Sequence, residues 1–94
     1  MSKVSEQASE ALLLGNYYLN NNTKVECTNG CNRMYLYGNL IAEKSSKGLK
    51  ISSCGWNTVT TKSRLNKLPG VHIRQSKGQW ILNDVPWDGA WIFV

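Results

Sequence analysis

Long apolar runs are missing from this chain. The longest, Ala11 to Leu14 and Ala90 to Val94, fall far short of the roughly 18 to 20 consecutive apolar residues that a membrane span requires. The opening Met1-Ser2-Lys3-Val4 leads into two glutamates and then a four-residue apolar run. It lacks the long hydrophobic segment of a secretion signal, so the expected compartment is the cytoplasm, with no membrane partner. Histidine is almost absent. His72 is the only one, and no Ser or Asp stands at a spacing that would pair with it as nucleophile and base. The glycines form neither GxGxxG nor a P-loop, which removes the usual nucleotide cradle. Carboxylates are few. Asp84 and Asp88 are interrupted by Pro86, and Glu26 and Glu43 belong to different extended segments, so paired-carboxylate chemistry is not signalled. These gaps together predict a protein that is not an enzyme and carries no cofactor.

The three cysteines are an odd number, a poor fit to a secreted disulfide framework. The preferred reading is reduced thiols with no metal. Two alternatives remain in view: a Cys27–Cys31 pair closed across the Thr28-Asn29-Gly30 turn, and a zinc site that adds Cys54 and His72. Charged residues make up only 18% of the sequence, against 41% hydrophobic. That balance excludes a wholly disordered chain, and 94 residues suit one core rather than two.

Acidic residues are absent from one long stretch. Residues 44–83 contain Lys44, Lys47, Lys50, Lys62, Arg64, Lys67, Arg74 and Lys77 and no acid, a local charge of +8 within a chain of net +5. Residues 1–43 sum to −1. A basic middle of this kind is the electrostatic footprint of an anionic partner. The eight basic residues are therefore the candidate phosphate contacts.

The local pattern predicts a single α+β domain of mostly antiparallel hairpins with one or two short helices. Ser5 to Leu14 has no Pro or Gly, and Val4, Ala8, Ala11, Leu12 and Gly15 fall on one helical face. Extended segments follow at Lys24 to Cys27 and Arg33 to Tyr37 around an Asn-Gly turn. Another hairpin is expected from Leu40 to Glu43 and Leu49 to Ser52. Thr61, Leu65 and Leu68 repeat at helical spacing, which predicts a helix near 61–68, capped by Thr60 or Thr61 and ended by Pro69-Gly70. Val71 to Gln75 and Gln79 to Asn83 alternate as a last hairpin packed on that helix. Ala90 to Val94 is expected to be a terminal strand or a tail tucked against the core. Trp56, Trp80 and Trp87 are assigned to the core. Tyr35 and Tyr37 share a strand face opposite Met34 and Leu36 and are the candidate exposed aromatics.

Three stretches carry a family resemblance: Leu36 to Glu43, Gly55 to Val71 with Thr60-Thr61-Lys62-Ser63-Arg64-Leu65-Asn66 as its most specific part, and Gly78 to Asn83 with Trp87-Asp88-Gly89. Over about residues 33–92 the chain resembles a family of short proteins carried by tailed bacteriophages. The resemblance implies a phage or prophage origin and a compact fold, and it brings no activity or binding residues with it. The helix at 5–14 lies outside the matched stretch and reads as an addition to a core of residues 24–94. Two functions are expected from different sources. Charge points to a non-enzymatic protein that contacts nucleic-acid phosphates. The phage resemblance points to an inhibitor or adaptor that binds a host protein of defence or transcription.

Overall fold

Helix α1 (Lys3–Leu14) is amphipathic in a way the small residues dictate. Ala8, Ala11 and Leu12 are buried, and so are Ser5 and Ser9. The helix stops where Gly15 takes a left-handed φ of +79°, and both Gly15 N–H and Asn16 N–H close on the Ala11 carbonyl at 2.9 Å. That is the geometry a glycine beyond the last turn allows without strain. The computed structural model describes residues 3–20, 22–55 and 58–94. Trp56, assigned above to the core, lies outside the described residues.

An antiparallel meander follows: β1 (Tyr18–Asn20), β2 (Thr23–Thr28), β3 (Cys31–Leu36), β4 (Asn39–Ser45) and β5 (Gly48–Ile51). Its register sets Val25, Met34, Ala42 and Ile51 opposite one another. All four are fully buried, so one face of the sheet is the core face. A bulge follows Met34, because Met34 opposes Ala42 while Tyr35 opposes Leu40. The extra residue on β4 turns both Ile41 and Ala42 inward, which is why two successive strand positions are buried.

Helix α2 (Val59–Leu65) begins two or three residues earlier than the sequence pattern suggested and ends at Leu65, short of Leu68. Thr58, in an extended conformation, is the N-cap, and its hydroxyl accepts the Thr61 N–H at 3.2 Å. Thr60 and Thr61 are thus inside the helix and do not cap it. Thr61, Leu65 and Leu68 are buried as their spacing implied. Beyond the helix, β6 (Ile73–Ser76), β7 (Gln79–Leu82) and β8 (Val85–Pro86) form a separate three-stranded antiparallel sheet. The Asn66 side chain clamps it to the end of α2, accepting from Ile73 N–H at 2.6 Å and donating to Ile73 C=O at 3.0 Å. Val71, Ile73, Trp80, Leu82 and Trp87 join the same apolar cluster as the helices and the inner face of the larger sheet. Trp80 and Trp87 pack with their rings tilted by 30° and their centres 6.1 Å apart. Finally β9 (Ile92–Phe93) returns to pair antiparallel with β5, giving the six-stranded order β1-β2-β3-β4-β5-β9. The expected α+β class, with mostly antiparallel pairing and two helices among the described residues, is the one observed.

Between the helices and the sheet runs a polar seam centred on Arg64, which is only 6% exposed. Its guanidinium donates to Thr23 Oγ1 at 2.9 Å, to Ser5 Oγ at 2.7 Å and, more loosely, to Asn22 Oδ1 at 3.4 Å. Burial pulls the guanidinium below its ordinary pKa. Removing it leaves buried hydroxyls with a lost partner, and hydrogen bonds to a charged group contribute more than neutral ones. Arg64→Ala should therefore cost at least about 2 kcal/mol, and Arg64→Lys should restore only part of it, since an ammonium cannot reproduce the planar fork. Leu65→Ala, at a fully buried site, should cost about 2 to 5 kcal/mol. Urea midpoints of the three variants against the parent check both statements.

Candidate nucleic-acid interface

The face of the large sheet opposite the core is built by alternation. With Val25, Met34 and Ile51 turned inward, the register brings Glu26, Arg33, Glu43, Lys50 and Phe93 into one row across β2, β3, β4, β5 and β9. Lys24, Tyr35 and Leu40 form a second row beside it, with Leu19 at the β1 edge. Both helices lie on the other side, where the Asn32 side chain donates to the C=O of Leu12 in α1 at 2.8 Å. The row face is open.

Charge on this face is organised around Glu43. Arg33 Nε donates to Glu43 Oε2 at 2.8 Å and Lys50 Nζ lies 3.2 Å from Oε1. The hydrogen bond from Arg33, then that from Lys50, holds the Glu43 carboxyl below the usual carboxylate range. Lys24 stands 3.6 Å from Glu26. Three cations against two carboxylates leave a positive excess.

Aromatic rings stand among these cations. Lys24 Nζ is 5.3 Å from the centre of the Tyr35 ring, and Lys50 Nζ is 5.3 Å from that of Trp91. Phe93, 57% exposed, lies across Gly48, where an added Cβ would meet its ring at 3.8 Å. Trp91 is 44% exposed. The C-terminal segment is positioned from below: Gly89 C=O accepts Ser52 Oγ–H at 2.8 Å and Ser53 N–H at 3.0 Å, and Trp87 Nε1–H reaches Ala90 C=O at 2.9 Å. At the opposite end a groove of about 490 Å³ is lined by Leu19, Lys24, Tyr35 and Tyr37, among others.

The structure distributes the eight sequence-predicted phosphate contacts over separate elements. Lys50 alone is on the open face. Lys44 registers with Asn32 and Leu49, at the rim of the covered face, and Lys47 is exposed in the β4–β5 turn. Lys62 is half-buried on α2, and Lys67, in the turn after the helix, lies 3.6 Å from Glu6 of α1. Arg64 is corrected outright. It is a buried anchor of the helices, so it is withdrawn from the contact set, and its replacement would weaken the fold. Arg74 is exposed in the smaller sheet, 3.8 Å from Asp84, with Lys77 in the β6–β7 turn. Tyr35 is half-buried, whereas Tyr37 is not on the strand at all: β3 ends at Leu36, and Tyr37 takes a left-handed φ of +51° in the turn. Both tyrosines nonetheless line the groove beside Lys24. Sequence reasoning missed Lys24, Arg33, Trp91 and Phe93, whose shared face depends on the β2–β3 register and the long-range β5–β9 pairing.

Cys27 opposes Asn32 while Cys31 opposes Thr28, so the two thiols project from opposite faces of their hairpin. All three cysteines are free. Among the described residues no cluster of three or more His, Cys, Asp or Glu is placed to hold a metal.

Fold and face define a small α+β protein with one sheet surface covered and the other open, studded with rings and cations. The chain belongs to the Kyanoviridae Gp96 protein family, a family of tailed cyanophage proteins whose model matches residues 1–92. The phage origin expected from the sequence is thereby established, and the match includes α1, which the resemblance over 33–92 had left out. No curated protein and no solved structure matches the chain. No described helix is long and apolar enough to cross a membrane.

Glu43 generates a pH prediction. A carboxyl whose pKa is lowered by folding contributes stability above its unfolded value near 4.3, and that contribution is lost as pH falls through the lower folded value. Glu43→Gln should therefore be less stable than the parent at pH 7 by at most about 1 kcal/mol, screened as surface pairs are. The difference should shrink as pH falls below the unfolded value and through the lower folded one. Urea unfolding of both proteins at pH 7 and at a series of acidic pH values measures it.

Proposed function

We propose that this phage protein is a non-enzymatic nucleic-acid-binding module whose open sheet face carries the contact, in the cytoplasm of the bacterial host. The observation that supports it most is the pair of cation-and-ring sites on one solvent-facing surface, Lys24 with Tyr35 and Lys50 with Trp91. Arg33 lies between them and Lys47 at the hairpin tip beside them. Phosphates supply the negative charge this surface complements, and the chain's net +5 steers an anionic polymer towards it. The sole imidazole does not favour catalysis: His72 is exposed, and its backbone is fixed on both sides by Asn83.

A second reading, a host-protein inhibitor or adaptor, is favoured by one observation. Trp91, Ile92, Phe93 and Val94 are consecutive and exposed at the edge of the sheet, the kind of apolar surface a protein partner covers.

Labelled DNA and RNA titrated with the protein at several salt concentrations test the first reading. Binding should be measurable at about 0.1 M salt, and Lys24→Gln or Lys47→Gln should each flatten the slope of log affinity against log salt by up to about 1. Absence of binding to either polymer, with a stoichiometric host protein captured after nuclease treatment, would transfer the function to the second reading.

A further inference from the structure

We infer that the ligand of the open face is single-stranded nucleic acid, with bases stacked on Tyr35 and Tyr37 at one end and on Trp91 and Phe93 at the other. The inference rests on the nucleic-acid reading above and adds what form of polymer the surface accepts. A duplex hides the faces of its bases in its own stack and offers a flat sheet only phosphates and groove edges. Exposed rings gain nothing from such a ligand. Unpaired bases, by contrast, present a π-face that any aromatic side chain can take, whatever the sequence.

The spacing of the two ends fits a strand and not a single nucleotide. From β3 to β9 the sheet order crosses β4 and β5, three steps of roughly 4.8 Å, or about 14 Å. A ligand that stacks at both ends therefore contributes several nucleotides and lays its backbone across Arg33 and Lys50. Lys24 and Lys50 each lie over a ring, 5.3 Å from its centre; a base that stacks there displaces the flexible ammonium from the ring face and leaves that charge close to the phosphate next to the base.

The same features argue against an apolar protein surface as the occupant. Covering this face with one would desolvate the Arg33–Glu43–Lys50 cluster, and removing several charges from water is costly unless the partner returns hydrogen bonds to all of them. Phosphate oxygens return them to Arg33 and Lys50 as charge-assisted bonds.

A fluorescently labelled oligothymidylate of about a dozen nucleotides, a length typical of small single-strand sites, and a duplex of the same length are titrated with the intact protein. The expected result is tighter binding of the single strand. Trp91→Ala and Tyr35→Leu should each weaken it about 5- to 100-fold while leaving the salt slope in place, and Trp91→Phe should recover most of the loss. Circular dichroism melts identify any variant that fails to fold, and for such a variant Trp91→Phe against Trp91→Leu replaces the alanine comparison. Equal or tighter binding of the duplex, or single-strand binding indifferent to the ring variants, overturns this inference and leaves the broader reading standing. No binding of either polymer overturns both.

Discussion

Arg64 is the constraint around which the rest of the molecule is arranged. A guanidinium at 6% exposure is tolerable only where oxygen acceptors surround it, because an ionised group withdrawn from water without partners costs several kcal/mol or more. Here the acceptors come from Ser5 of α1, Thr23 of β2 and Asn22 just before it, 59, 41 and 42 positions away. Thr23 Oγ1–H in turn donates to Asn22 Oδ1 at 2.7 Å, and Ser5 Oγ lies 2.9 Å from Ser63 Oγ of α2. Unlike apolar packing, this network is directional. It fixes how α2 sits against both α1 and the sheet, and it explains why a small core contains buried serine and threonine where more leucine was available to selection.

With both helices held to one side by that seam, the sheet can be covered on one face only. The second sheet is drawn to the covered side as well, since Ile73, Trp80, Leu82 and Trp87 complete the same cluster. The chain then passes under the end of β5, bonded through Gly89 to Ser52 and Ser53, and emerges as β9 at the sheet edge. Strand alternation does the rest: Ile92 faces Ile51, so Phe93 faces Lys50 on the open side. The exposure of Trp91 and Phe93 is thus a consequence of how the core is closed, and the candidate site shares its supports with the fold.

What could be read in the sequence was local. The Asn29-Gly30 turn, the β6–β7 hairpin and the Thr61-Leu65-Leu68 stripe each carry their signal within a dozen residues; the first two formed as their patterns indicated, and the stripe is buried as expected although the helix ends at Leu65. Arg64 did not follow its pattern, because its position beside an apolar stripe is equally compatible with a solvated cation; only acceptors from distant segments decide, and nothing near residue 64 records them. Tyr37 is exposed as expected, but from a turn and not from the strand face. Period-2 alternation places it with Tyr35, but the turn begins one residue sooner, and a left-handed φ at a tyrosine is not a pattern that alternation can anticipate. Ala90 to Val94 reads as a terminal strand or a tail tucked against the core; the strand is there as β9, while the face that Trp91 and Phe93 take depends on a pairing between residues more than forty apart.

Charge illustrates the same limit in physical terms. Eight basic residues without an intervening acid look like one surface when counted along the chain, yet the fold brings acids from outside that segment to several of them: Glu43 to Lys50, Glu6 to Lys67, Asp84 to Arg74. Meanwhile Lys24 and Arg33, from the half of the sequence with net negative charge, arrive on the open face. A linear charge count measures long-range attraction, which survives folding because net charge does. It does not locate contact, because contact depends on which cations are held beside a surface that a ligand can lie against. On this protein that surface combines cations ordered by Glu43 with rings that remain wet. The first contribution weakens with salt, as released counterions require, whereas stacking on the rings involves no counterion release. The two kinds of contact on one face are therefore physically separable, and their ratio sets how strongly binding responds to ionic strength.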